Sequence, residues 1–337
     1  MAQCNVDYYG RHDSIGAAAD FITAPEISQM FGELLGAWVI ARWHAMDAPT
    51  PFQLIELGPG KGTLMADMLR VLRNHADIYA AVRIHLVETS PKLHATQKET
   101  LQDFTPPVTW HDNLQTVPPA PFILIANEFL DALPIQQFIY TLADWQERGV
   151  RRDGEKLTWA TRDINNDALP DTRHLPAPVP GNILEHCPAL PDILQSISTR
   201  LTVHSGAALL IDYGYARTDY GDTFQAVARH QYANPLENPG EQDLTAHVNF
   251  AVIENFGKIQ GQKTPLKIWG HIGQGEFLIN LGLQLRAEKL LANAATPEDK
   301  MEIIEAAHRL THPSEMGSLF KVICLSSSDL PPPEGFK

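Results

Sequence analysis

Glu56-Leu-Gly58-Pro-Gly60-Lys-Gly62-Thr63 sets a glycine at every second position, directly after the apolar run Gln53-Leu-Ile-Glu-Leu57. Glycine enters left-handed backbone conformations without a Cβ penalty, so such a loop turns sharply and lets main-chain groups approach a ligand closely. With a strand before it and a helix after it, the loop lies at the carboxyl edge of a sheet, where open α/β sheets bind ligands. A second apolar run from Arg83 ends in Glu88, whose carboxylate can accept hydrogen bonds from both hydroxyls of a ribose. The G-x-G-x-G spacing does not match the dinucleotide fingerprint, and Lys61 followed by Gly62 excludes a Walker A loop. A connecting turn without a ligand is the plain alternative, and the flanking strand, helix and Glu88 weigh against it.

Further polar residues fall at the same edge. Asp112, after a short third strand, either accepts from an adenine amino group or is a solvated loop residue. Asn127-Glu128-Phe129 and Asp131 follow the apolar strand Phe122–Ala126. On one reading Glu128 and Asp131 pair with a guanidinium or ammonium group; on the other they cap the turn into Ala132-Leu-Pro134. Asp212-Tyr213-Gly214 ends a later strand and is a further candidate for lining the crevice. His247 is either a proton acceptor or a structural histidine.

These residues need elements to position them. Thr23-Ala-Pro-Glu26 has capping-box spacing and predicts one amphipathic helix from Glu26 to about Met46. Alternating strands and helices then follow to Ala126 and predict a mostly parallel sheet with helices on both faces. Ile135–Thr141, Trp145–Val150 and Leu157–Thr161 read as antiparallel strands with a turn at Asp153-Gly154. The sheet pattern resumes with a helix near Pro188–His204 and strands at Ala207–Asp212, Thr264–Ile268 and Ser318–Leu325. Helices are expected before Thr264, near Gly275–Leu281 and over Pro297–Leu310. The expectation is one elaborated domain over residues 1–337: a cap helix at 23–46, core at 52–134, 188–212 and 250–326, and insertions at 135–187, 213–249 and 270–315.

Composition narrows the partners. The chain has 26 basic and 40 acidic residues, a net charge of −14, which disfavours nucleic acid or an anionic membrane as partner. Its longest apolar run, Leu34 to Ala41, is far short of the roughly 18 residues of a membrane span. The first ten residues carry neither the basic start nor the apolar core of a signal peptide. Cys4, Cys187 and Cys324 form no metal-ligand pair, and with the dispersed histidines they predict a reducing compartment and no metal site.

An acidic residue, x, then glycine at every second position after apolar residues is the loop form of class I S-adenosylmethionine-dependent methyltransferases. The chain as a whole resembles the MidA-like methyltransferases, the family of the mitochondrial complex I assembly factor that acts as a protein arginine methyltransferase. The resemblance is carried by DFITAPEISQMFGELLGAW from Asp20, LIELGPGKGTL from Leu54, LVETSPKL from Leu86, ANEFLDALPIQQF from Ala126, DLTAHVNF from Asp243 and GSLFKV from Gly317. It implies a Rossmann-like fold with a seven-stranded sheet, S-adenosylmethionine as cofactor, and methyl transfer to an arginine of a protein such as a complex I subunit. By resemblance Asp20, Thr23, Pro25 and Glu26 lie over the cofactor, with Gly58, Gly60 and Gly62 beneath it. Glu56, Thr63, Glu88, Thr89, Asp112, Asn113, Leu114 and Asn127 complete the expected cofactor set. Asn127, Glu128, Asp131 and His247 are the expected catalytic residues. The implied location is the bacterial cytoplasm, or the mitochondrial matrix in a eukaryote.

Three departures stand out. Ala19 replaces the family's usual glycine, and Asn249 replaces an aspartate and removes a carboxylate base. Members also tend to carry a longer leader before Tyr8-Tyr9-Gly10, so a truncated chain or a different start site is expected. Methylation of a small amine and a non-catalytic assembly role that uses the cofactor only for structure remain open. A nicotinamide oxidoreductase is disfavoured by the glycine spacing.

Overall fold

Before the glycine loop come three helices, α1 (Ala2–Arg11), α2 (Ala24–Ile27) and α3 (Gln29–Ala45), and the strand β1 (Phe52–Leu57). The computed structural model describes residues 1–11, 23–165, 169–228 and 231–336. After the loop run α4 (Thr63–Leu72), α5 (Ala76–Ala81), β2 (Val82–Val87), α6 (Pro91–Leu101), β3 (Val108–His111) and β4 (Phe122–Asn127). An antiparallel excursion follows, β5 (Gln136–Tyr140), β6 (Trp145–Asp153), β7 (Lys156–Asp163) and β8 (Ile183–His186). The chain returns through α7 (Leu190–Val203) to β9 (Gly206–Tyr215), then makes the short strands β10 (Gln225–Ala228), β11 (Gln231–Ala233), β12 (Asp243–Thr245) and β13 (Val248–Asn249). It closes with α8 (Phe250–Gly261), β14 (Leu266–Gly273), α9 (Gln274–Asn280), α10 (Leu283–Asn293), α11 (Pro297–Thr311), α12 (Met316–Leu319) and β15 (Phe320–Ser327).

The main sheet has the order β14-β15-β9-β4-β1-β2-β3, with the two residues of β13 added beside β9. Only β15 runs against its neighbours; β9, β4, β1, β2 and β3 pair in parallel. This is the expected mostly parallel, seven-stranded Rossmann-like arrangement. Its central strands are buried along nearly their whole length, as strands covered by helices on both faces must be. Successive residues feed opposite layers: Leu54 packs with Trp38, Met68 and Leu69, whereas Ile55 packs with Leu194, Ile197 and Phe250.

The expected helix from Glu26 to Met46 is two helices. Ser28 has extended backbone (φ −164°, ψ 138°), and its side chain accepts from the Met30 amide, so it caps a new helix. Thr23 makes no capping bond, and Glu26 accepts from the Thr63 hydroxyl at 2.6 Å. The capping-box reading is therefore corrected: Glu26 reaches across to α4. Trp38 and Trp43 are buried in the core, so that face is not an open interface.

Other boundaries also move. The strand β9 runs past Asp212 to Tyr215 and β14 extends to Gly273, both into segments expected as insertions. The strands β6 and β7 form the expected hairpin at Gly154 but extend through solvent-facing arginines and acids that give no apolar signal. The helices α1 and α10 were not expected. Gly282, left-handed at φ +94°, opens α10, although glycine in sequence usually reads as a helix stop.

Candidate active site

Gly58, Gly60 and Gly62 all occupy the left-handed region, at φ +63°, +53° and +84°. A Cβ at Gly58 would sit 2.8 Å from the Phe129 ring, so that position excludes side chains by space as well as by backbone. Gln97, wholly buried on α6, fixes the loop from behind. Its Nε2 donates to the Gly60 carbonyl at 2.8 Å, and its Oε1 accepts from Trp110 Nε1 at 2.8 Å. Replacing Gln97 with Leu leaves both partners unmatched, at a cost of about 1–3 kcal/mol. Calorimetry with S-adenosylhomocysteine should show affinity lowered by about tenfold in that variant, through loss of loop order.

Above the loop, Thr23, Pro25, Glu26, Glu56, Gly58, Gly60, Lys61, Thr63, Asn127 and Glu128 line one cleft of about 400 Å³. The short segment 23–26 bridges it: Glu26 accepts from Thr63 on α4, and the Ala24 amide donates to Glu128 Oε1 at 2.8 Å. Three carboxylates and one lysine give this cleft an acidic lining. Glu56 Oε2 and Asn127 Oδ1 are buried acceptors that have no partner among the described residues. Orphaned acceptors beside a glycine cradle fit a ligand carrying an ammonium group, because an unmatched buried acceptor is costly.

Burial pushes the Glu56 carboxyl up to about 8. Burial does the same to Glu128, also to about 8, against the Ala24 amide, which pulls it down. A carboxyl whose folded pKa exceeds its unfolded value near 4.5 binds protons more tightly in the native state, so stability falls as pH rises. Without cofactor, the urea midpoint should therefore fall between about pH 4.5 and about pH 8 and level off above that. Glu56→Gln should flatten that slope; an unchanged slope would remove Glu56 from its cause.

The other expected site residues fall elsewhere. Asp20 lies outside the described residues. Gly62 is the N-cap of α4 at the end of the loop. Glu88 sits at the end of β2 and Oε1 accepts from the Thr89 and Ser90 amides at 2.8 Å each; neither it nor the exposed Thr89 lines the cleft. Asp112 is exposed, Asn113 caps a short turn by accepting from the Thr116 amide, and Leu114 is buried in the core. Asp131 is not presented to the cleft, because its Oδ2 accepts from the Tyr213 hydroxyl at 2.6 Å. Asp212 holds the same turn, accepting from the Leu130 and Asp131 amides. His247 stands edge-on to the Tyr213 ring in a separate cleft of about 540 Å³, and burial lowers its pKa. Lys61 and Gln97 were missed as site residues, and Asp212, expected as a candidate for lining the crevice, does not line this cleft but bonds the turn beside it. Gln97 and Asp212 act through main-chain carbonyls and amides, which leave no mark on side-chain spacing.

Residues 34–268 match the S-adenosyl-L-methionine-dependent methyltransferase family. The chain belongs to this family. The methyltransferase is 35% identical over 340 residues to the rat mitochondrial protein arginine methyltransferase NDUFAF7, covering 94% of this chain and 77% of that one. The human protein of the same name is 34% identical, over 94% of this chain and 76% of its own length. Among solved structures, a COG1565 superfamily member from Burkholderia thailandensis bound to S-adenosyl-homocysteine superposes with a TM-score of 0.80 at 27% identity, covering 96% of this chain and 84% of that one. The methyltransferase thus uses S-adenosylmethionine, and the ammonium-accepting cleft over the glycine loop suits that cofactor.

Proposed function

We propose that this methyltransferase transfers a methyl group to an arginine of a protein partner, with a complex I subunit as the candidate acceptor. The observation that carries the reading is Glu128, a half-buried carboxylate at the rim of an acidic cofactor cleft. The names of the rat and human relatives support arginine as the acceptor. Residues 1–337 would act as one elaborated domain. Its place would be the mitochondrial matrix or the bacterial cytoplasm; among the described residues no helix is long and apolar enough to cross a membrane.

In this reading Glu56 and Asn127 would hold the ammonium group of the cofactor and the glycine loop would support its body, while Glu88, at the next strand end beyond that cleft, would take its ribose. Thr23, Pro25 and Glu26 would cover it, and the exposed Asp112, outside that cleft at the end of β3, would flank its base. When bound, the cofactor supplies an electrophilic methyl carbon. A free guanidinium is protonated, with a pKa above about 12, so its nitrogen lone pair must be uncovered. Glu128 receives the guanidinium through charge-assisted hydrogen bonds and draws positive charge away from the attacking nitrogen. An arriving cation favours the ionised form of Glu128, reversing the effect of its burial. The guanidinium proton leaves late, toward Glu128 and solvent.

Incubation with radiolabelled S-adenosylmethionine and a cell lysate, followed by acid hydrolysis, tests the acceptor. Label recovered as methylarginine supports the reading. Label in a small amine, or none in any protein, would overturn it.

A further inference from the structure

The turn that carries Glu128 is held by a residue that does not line the cleft. Glu128 has φ +49°, a left-handed conformation that is unfavourable for a residue carrying a side chain. Such strain persists only where the surroundings impose it. The imposition comes from β9, on the neighbouring strand. The Glu128 amide donates to the Ile211 carbonyl at 2.9 Å, and the next residue, Asp212, grips the chain just beyond. Asp212 is wholly buried; Oδ2 accepts from the Leu130 and Asp131 amides at 2.9 and 3.2 Å, and Oδ1 from the Tyr213 amide at 2.9 Å. All three donors are main chain, so this carboxylate is committed to the turn. Asp131 adds a second tie, with the Tyr213 hydroxyl on its carboxylate and the Ala246 amide on its carbonyl.

We propose that Asp212 is a positioning residue for methyl transfer, which clamps the 128–131 turn so that Glu128 faces the acceptor. The proposal rests on the reading of Glu128 given above. Asparagine has nearly the same volume, but its amide nitrogen cannot accept, so Asp212→Asn breaks either the Tyr213 bond or the pair to Leu130 and Asp131. A misplacement of about 1 Å at a reacting group can cost about 100-fold in rate.

The test is a double-mutant cycle with Glu128→Gln, read by label transfer from S-adenosylmethionine to lysate protein at saturating cofactor. Hydrogen exchange at the Leu130, Asp131 and Tyr213 amides and calorimetry with S-adenosylhomocysteine accompany it. Asp212→Asn should speed exchange at the Leu130 and Asp131 amides, or at the Tyr213 amide if the side-chain amide settles the other way round, and lower transfer by about 30- to 100-fold, with affinity for S-adenosylhomocysteine kept within about threefold. It should cause no further loss when Glu128 is already Gln. Unchanged transfer, or the same fold-loss in both backgrounds, would overturn the proposal. If Asp212→Asn does not fold, the double variant Glu128→Gly/Asp212→Asn should, because glycine needs no support at that φ; an unfolded double variant also overturns it. A wild-type protein that binds S-adenosylhomocysteine yet labels no arginine would remove the reading of Glu128 instead, while exchange still reports whether Asp212 holds the turn.

Discussion

Gly60→Val is expected to lower affinity for S-adenosylmethionine by more than about 100-fold, because a β-branched side chain resists φ +53° and would stand in the cleft proposed to cradle the cofactor. Two costs combine. The left-handed conformation costs about 1–2 kcal/mol, and refusing it swings the Gly60 carbonyl away from Gln97. The added methyl groups would also project from a residue that lines the cleft. The fold should survive, because the loop lies at the sheet edge and β1 and α4 stay packed against each other in the core they share. Calorimetry with thermal melting separates these effects: a melting temperature lowered by only about a few degrees with lost binding is expected, and near-normal binding would show that the loop does not cradle the cofactor.

Glu128→Gln is expected to spare cofactor binding and to reduce methyl transfer by about 100- to 1000-fold, the range typical of losing an electrostatic group that acts in the transition state. Glutamine preserves the Ala24 hydrogen bond, because its carbonyl oxygen still accepts. It removes the negative charge that would receive the guanidinium. Saturating-cofactor rates should fall with little change in the cofactor KM. If turnover is unchanged, Glu128 has no part in the chemistry and merely anchors the 23–26 segment.

The glycine loop and the mostly parallel sheet were legible because their signals are strong and local. Buried parallel strands read as unbroken apolar runs, and alternate glycines after one of them have few other uses. The 23–26 segment was legible as important but misread in form. Thr23 and Glu26 have the spacing of a capping box, yet tertiary contact with Thr63 took the Glu26 carboxylate elsewhere. Asp131 and Glu128 looked equivalent in sequence, three residues apart on one turn. Only the fold separates them, by placing the Tyr213 hydroxyl on one and the cofactor cleft beside the other. Asp212 was visible as the end of a strand, but its three main-chain donors come from two segments far apart in sequence. The acidic excess gained a partial location as well: Glu26, Glu56 and Glu128 line the cleft against a single lysine.

The cleft between the glycine loop and the 23–26 segment is the site we propose for S-adenosylmethionine. Isothermal titration of the purified protein with S-adenosylhomocysteine tests it most directly. One molecule bound per chain, with binding lost in Gly60→Val and retained in Glu128→Gln, is the expected result. No heat of binding with the folded wild-type protein, or equal affinity in Gly60→Val, would contradict it.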